Sequence, residues 1–245
     1  MKEYGLIGFP LGHSFSQKYF TQKFEREHID GKYSLFAIES IDQLPHLLEN
    51  KAISGLNVTI PYKEQIIPYL DGLDESAASV GAVNVVKVTY EGNIRKLIGF
   101  NSDVYGFMNS IRPMLCSQHT KALVLGTGGA SKAVASVFKT LGVEFKYVSR
   151  RPCDNKLTYN DLSDEVIKSH LIIVNATPLG MFPKTNECPA IPYNYLTSNH
   201  VAFDLIYNPD ETLFLKKAAE QGAKTKNGLE MLYLQADRSW EIWTE

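Results

Sequence analysis

Two parts of this 245-residue sequence gather residue types suited to holding a charged organic ligand. The first is Val124-Leu125-Gly126-Thr127-Gly128-Gly129-Ala130-Ser131, which joins an apolar run to an amphipathic stretch. Glycines at such a turn let the backbone approach a pyrophosphate, whose charge is met by N–H groups at a helix N-terminus. The strict G-x-G-x-x-G/A spacing is not met, because Ser131 holds the third position. A tight turn also uses glycine for steric reasons alone, but this one sits inside a strand–helix–strand pattern, which favours the ligand. A second signal, Tyr147-Val148-Ser149-Arg150-Arg151, places Arg150 24 residues after Gly126. A dinucleotide fold that prefers NAD carries Asp or Glu near this place to bond the ribose 2′-hydroxyl. Here there is no carboxylate and there are two guanidiniums, whose planar donors match a phosphate. The pattern predicts NADP; the alternative is a pair of ordinary surface arginines.

The other part is the first hundred residues, where small polar residues crowd the ends of apolar runs. Ser14 and Ser16 follow the first run; Asn57-Val58-Thr59-Ile60-Pro61-Tyr62-Lys63, Gly81-Ala82-Val83-Asn84 and Asn101-Ser102-Asp103 border later ones. Proteins with α/β sheets place ligand groups at such ends. Taken singly, each has an ordinary explanation. Ser14 and Ser16 would shape a turn and cap a helix, Lys63 would be solvated, Asn84 would be a turn residue and Asp103 an N-cap. Their number, in a chain with a dinucleotide turn, shifts the balance toward a ligand.

The elements that must position these groups are legible as alternating runs. Strands are expected over residues 4–7, 33–38, 55–59, 83–89, 94–98, 121–125, 144–148, 171–175 and 201–204. Helices are expected over 16–27, 42–50, 104–111, the stretch carrying Val134, Val137, Phe138 and Leu141, and 229–243. Glu91-Gly92-Asn93 signals a hairpin between the fourth and fifth strands, and Pro178 to Pro192 reads as an ordered loop. Strands alternating with helices predict an α/β fold with parallel or mixed sheets. Net charge is −2, with no block of like charges, which disfavours nucleic-acid or anionic-membrane partners. Three scattered cysteines, Cys116, Cys153 and Cys188, argue against a disulfide framework or a zinc cluster and for a reducing cytoplasm. No metal site is expected, no apolar run is long enough to cross a bilayer, and the start of the chain lacks a signal-peptide core.

The ordered set of motifs resembles the shikimate dehydrogenase family. The matching stretches are Gly8 to Ser16, Asn57 to Lys63, Gly81 to Asn84, Gly99 to Asp103, Gly126 to Lys132, Asn175 to Met181, Asp204 to Pro209 and Asn227 to Gln235. They run in family order over nearly the whole chain. The resemblance implies an N-terminal α/β substrate domain with a mixed sheet, residues 1–100, completed by a returning C-terminal helix, 229–245. It implies a Rossmann-like NADP domain over 101–228. It also implies roles: Lys63 and Asp103 as the catalytic pair, Ser14 and Ser16 on the substrate carboxylate, and Thr59, Asn84, Tyr207 and Gln235 on its hydroxyls and carboxylate. Gly126, Gly128, Gly129 and Ala130 would wrap the pyrophosphate, Ser149, Arg150 and Arg151 the adenosine phosphate, and Leu205 and Gly228 would line the nicotinamide end. The chain departs from the family pattern in having Ser102 where threonine is common, Thr127 in the glycine loop, and Ser149-Arg150-Arg151 for the more usual Asn-Arg-Thr.

The implied reaction is NADPH-dependent reduction of 3-dehydroshikimate to shikimate, with small molecules as the only partners and a monomer or homodimer as the assembly. Two rivals remain at this point: a quinate/shikimate dehydrogenase with relaxed NAD/NADP use, and a non-catalytic regulator that binds shikimate and a dinucleotide. Retention of both Lys63 and Asp103 speaks against the second.

Overall fold

The structure is a computed structural model describing residues 1–12 and 14–245; His13, part of the first expected loop, lies outside the described residues. The chain divides into two compact units, Met1–Ser102 with Gln235–Glu245, and Asp103–Leu234. It passes from one to the other at Ser102 and again at Leu234, inside the last helix rather than at its start.

In the first unit, β1 (Lys2–Gly8), α1 (Phe15–Arg26), β2 (Gly31–Ala37), α2 (Leu44–Asn50) and β3 (Ile53–Val58) follow one another. Then come β4 (Gly72–Leu73), α3 (Glu75–Val80), β5 (Val85–Glu91) and β6 (Ile94–Phe100). The sheet order is β2-β1-β3-β5-β6-β4. β1 is parallel to β2 and β3, whereas β5 is antiparallel to β3 and β6, so the sheet is mixed. Glu91 pairs with Ile94, closing the hairpin over Gly92-Asn93, and Gly92 takes φ 62°, the left-handed conformation such two-residue turns require. Strand side chains alternate between faces. Ile7 joins Leu44, Leu56 and Ile66 on one side, and Tyr4 and Leu6 join Phe20, Phe24 and Trp243 on the other. Trp243 Nε1 donates to Val86 O at 3.1 Å, and its ring occupies the space a side chain at Gly55 would need.

The second unit holds α4, which opens at Ser102 and runs to Ile111, then β7 (Lys121–Leu125), α5 (Gly129–Leu141), β8 (Glu144–Ser149) and β9 (Leu157–Thr158). α6 (Asp164–Ser169), β10 (Ile172–Asn175), β11 (Val201–Asp204), α7 (Leu213–Ala219) and β12 (Lys224–Lys226) follow, and α8 spans Leu229–Thr244. The order β12-β11-β10-β7-β8-β9 is parallel throughout. Counted from β7, this is the 3-2-1-4-5-6 order of dinucleotide-binding folds. The central strands are buried on both faces, between Phe107, Val134, Phe138 and Phe203 on one side and Leu125, Ile167, Ile173 and Phe214 on the other.

The alternating pattern located the buried strands, including the four-residue β10 and β11, and the amphipathic helices. The stretch expected as a helix over 42–50 begins as a 3₁₀ turn, Ile41–Gln43, before α2. The segments α3, α6, α7, β4, β9 and β12, two to seven residues long, were not expected.

Candidate active site

The glycine turn lies where β7 ends, at the crevice where the strand order reverses. Gly126 has φ 101°, and a Cβ there would come within 3.1 Å of Ala176 O and 3.0 Å of Thr177 Cγ2. Glycine is therefore required twice, by conformation and by close approach. Gly128 and Gly129 are different: a Cβ on either would meet nothing within 4 Å. The N-cap of α5 is Gly128, which has no side-chain cap. The first amides of this 13-residue helix thus face open space, and the helix dipole favours an anion there. Ser131 is turned away, its hydroxyl donating to Gly128 O at 2.6 Å, while Ala130 is half-buried in the first turn.

A cavity of about 220 Å³ adjoins this turn, lined by Gly126, Gly128, Val148, Arg150, Tyr159 and Ala176 to Leu179. Arg150 is in the wall. Arg151 and Ser149 are not among the lining residues; the Arg151 amide donates to Ser149 Oγ at 3.3 Å, closing the turn after β8. Tyr159 had no signal in the sequence. It is set there because β9 pairs with β8 through Val148–Leu157 and Ser149–Thr158. A reciprocal Thr158–Asp161 cap then fixes the following 3₁₀ turn. Burial pushes the Tyr159 phenol up from its ordinary pKa, and the Arg150 charge pulls it back part of the way.

The opposite wall is held by a buried polar cluster. Asn175 Oδ1 accepts from Thr177 N at 3.0 Å and Thr177 Oγ1 at 2.6 Å. Asn175 Nδ2 donates to Asp204 Oδ1 at 3.1 Å. Asp204 also accepts from Ile206 N at 3.0 Å and Thr212 Oγ1 at 2.6 Å. Its carboxyl is fully buried, and desolvation raises its pKa to about 6 against the pull of these bonds. Leu205 and Gly228 meet behind this cluster: a side chain at Gly228 would run into the Leu205 carbonyl. Tyr207, two residues on, is 39% exposed. The open cradle at the α5 N-terminus and the guanidinium in the cavity wall fit the diphosphate and 2′-phosphate of NADP.

In the first unit, the polar clusters are laced into one region by main-chain bonds. Thr59 N donates to Ile7 O at 2.9 Å, Val58 N to Asn84 O at 2.9 Å, Asn84 N to Phe100 O at 3.1 Å and Val83 N to Lys63 O at 2.7 Å. Gly8 lies against Thr59, so a Cβ at position 8 would overlap the Thr59 methyl. Ser14 caps α1, its Oγ accepting from Gln17 N at 3.4 Å. The helix-cap explanation is therefore true of Ser14, but a hydroxyl that accepts one bond still has its O–H to donate. Ser16 hydrogen-bonds the buried Tyr33 hydroxyl, which donates to Asn57 Oδ1 at 2.7 Å. Lys63 is half-buried, and Asp103, only 6% exposed, lies in the first turn of α4.

Asn84, rather than Ser102 or Asp103, serves the first amide of α4: its Oδ1 accepts from Ser102 N at 2.7 Å. Asn84 Nδ2 donates to Ser102 Oγ at 3.1 Å, and Ser102 Oγ is 3.4 Å from Ser239 Oγ. Ser239 donates to Gln235 O at 2.8 Å and accepts from Asn57 Nδ2 at 3.0 Å. Sequence reasoning missed Ser239, for a lone serine on a helix carries no signal. Among the described residues no group of His, Cys, Asp and Glu could hold a metal ion.

A parallel 3-2-1-4-5-6 unit with an open diphosphate cradle, in one chain with a mixed-sheet unit rich in buried amides and hydroxyls, defines a dinucleotide-binding α/β protein of the dehydrogenase class. Residues 6–86 match the shikimate dehydrogenase substrate binding domain. The NADP(+) shikimate dehydrogenase of Clostridium beijerinckii is 39% identical over 100% of this chain and 93% of its own. Among solved structures, the Thermus thermophilus shikimate 5-dehydrogenase in complex with NADP(H) and shikimate is 30% identical. Its TM-score is 0.85, over 100% of this chain and 94% of that one. Quinate dehydrogenase from Corynebacterium glutamicum in complex with NAD has TM-score 0.88 at 26% identity, over 99% and 93%. The chain belongs to the shikimate dehydrogenase family.

Proposed function

We propose that this protein reduces 3-dehydroshikimate to shikimate with NADPH, and runs the reverse oxidation with NADP, in aromatic amino-acid biosynthesis. The observation that carries the cofactor reading is Arg150 in the cavity wall beside the uncapped α5 N-terminus, with no carboxylate in residues 147–151 at the end of β8. When bound, the dinucleotide supplies the hydride. The residues of this chain position the substrate and handle the proton. Ser14 and Ser16 hold the substrate carboxylate; Thr59, Asn84, Tyr207 and Gln235 hold its hydroxyls and carboxylate. Lys63 hydrogen-bonds the carbonyl oxygen, stabilises the charge developing on it and gives it a proton as the ring carbon gains the hydride. Asp103 orients Lys63 and bonds the same oxygen once it is a hydroxyl. Gly126, Gly128, Gly129 and Ala130 take the diphosphate, Ser149, Arg150 and Arg151 the adenosine phosphate, and Leu205 and Gly228 the nicotinamide end. The protein acts as a monomer or homodimer in the cytoplasm, where its three free thiols stay reduced.

The likeness to a quinate dehydrogenase with NAD sustains one second reading, quinate oxidation with relaxed cofactor use. A spectrophotometric assay crossing shikimate or quinate with NADP or NAD separates them. Shikimate with NADP is expected to give the highest kcat/KM. Quinate with NAD as the best pair would establish the second reading, and no turnover with any pair would leave a binding protein.

A further inference from the structure

The side chains around Asn84 form a chain of hydrogen bonds that fixes the orientation of its amide. Ser102 N is a donor only, so the Asn84 atom facing it at 2.7 Å is the carbonyl oxygen, and Nδ2 faces Ser102 Oγ at 3.1 Å. At the far end, Gln235 O is an acceptor only, so Ser239 spends its O–H there at 2.8 Å. Ser239 Oγ then accepts from Asn57 Nδ2 at 3.0 Å and from the Ser102 hydroxyl at 3.4 Å. Ser102 Oγ accepts from Asn84 Nδ2, and its O–H has two acceptors, Ser239 Oγ and Asn84 Oδ1, each at 3.4 Å. Asn84, Ser102 and Ser239 are buried, at 4%, 1% and 1% exposed, and Asn57 and Gln235 are half-buried. In such surroundings a polar group turned the wrong way is left unsatisfied, so the alternative orientation is disfavoured.

We propose that Ser102 and Ser239 are positioning residues for substrate recognition: the relay Asn84–Ser102–Ser239–Gln235 O locks the Asn84 amide so that its second N–H is presented to an acceptor oxygen of the substrate. An amide donates two N–H bonds; Ser102 takes one, and the other is committed to donation by the same lock. Ser239 lies 137 positions beyond Ser102 in the chain, so the last helix has a part in substrate selection beyond Gln235 itself. The inference rests on the reading that Asn84 contacts substrate.

Steady-state kinetics of the full chain with shikimate and NADP test it, on Ser102→Ala, Ser239→Ala, Asn84→Ala and the doubles of each serine with Asn84→Ala. Loss of one net hydrogen bond corresponds to about three- to tenfold. Each serine variant is expected to raise the shikimate KM by that factor, with kcat and the NADP KM within about twofold. Added to Asn84→Ala, either change should alter the shikimate KM by less than about twofold, because residues acting through one contact are not additive. The same multiplicative rise in both backgrounds overturns the relay, as does an equal rise in the NADP KM. An Asn84→Ala variant with normal shikimate KM would instead overturn the substrate role of Asn84. If Ser239→Ala does not fold, the Ser102→Ala/Asn84→Ala cycle decides, and independence there refutes the proposal.

Discussion

Arg150→Ala is the substitution whose consequence follows most directly from the cavity. Arg150 lines the same space as Gly126 and Gly128, and its charge acts on the Tyr159 phenol. Nothing at this turn supplies a carboxylate that would favour a free 2′-hydroxyl. A charge-assisted bond to a phosphate contributes about 1.5–3 kcal/mol, or roughly 10- to 150-fold in affinity. Wild type is therefore expected to favour NADP over NAD by at least about tenfold in kcat/KM. Arg150→Ala should raise the NADP KM by about tenfold or more and leave the NAD KM close to its wild-type value, narrowing the preference. Arg151 is outside the cavity lining, so Arg151→Ala should cost less. Initial rates of shikimate oxidation with each cofactor measure all three proteins. Equal loss with NADP and NAD in Arg150→Ala would mean that the arginine supports the turn and not the phosphate, and equal use of both cofactors by wild type would sink the phosphate assignment altogether.

Lys63→Ala is expected to lower kcat by roughly 10²–10⁴, the usual size of general acid–base catalysis, with weaker effects on shikimate binding. Asp103→Ala should also be slow, and the double variant little worse than the slower single; near-normal kcat for Lys63→Ala, with thermal melts showing a folded protein, would return Lys63 to the solvent. Replacing Ser14 and Ser16 together by Ala should raise the shikimate KM far more than it lowers kcat, and a large kcat loss at unchanged KM would contradict their role in binding. Asp204 gives a pH signature. Its folded pKa of about 6 lies above the ordinary 3.8, so between those values the folded state keeps a proton the unfolded state has lost. Its contribution to stability then falls as pH rises through that window, by about 3 kcal/mol in all, and is flat above it. Asp204→Asn should gain on wild type by a like amount between pH 4 and 6.5 in denaturant titrations; a difference independent of pH would refute the assignment.

The division between what a linear reading can reach and what it cannot follows the range of each interaction. The β7–turn–α5–β8 unit was legible because its hydrophobic period, glycines and caps all act within a few residues. The Gly92-Asn93 hairpin and the placement of Arg150 were legible for the same reason. The polar clusters at strand ends and their family order could be read as well, since each motif is continuous in the chain.

What the sequence by itself determined, then, was the α/β class, the dinucleotide turn, the guanidinium that follows β8 and the family to which the motifs belong. Only the tertiary structure decided how those residues are held. Tyr159 reaches the cavity because a two-residue strand, β9, pairs with β8. Asp204 is a raised carboxyl because it is buried among Asn175, Ile206 and Thr212. Ser14 caps α1, which its neighbours in sequence left undecided. Ser239 meets Ser102 only when the end of α8 joins the mixed-sheet unit. The physical reason is common to all four. A hydrogen bond or a desolvation penalty depends on which groups are brought together across tens or hundreds of residues, and residue type with local spacing carries no record of that partner.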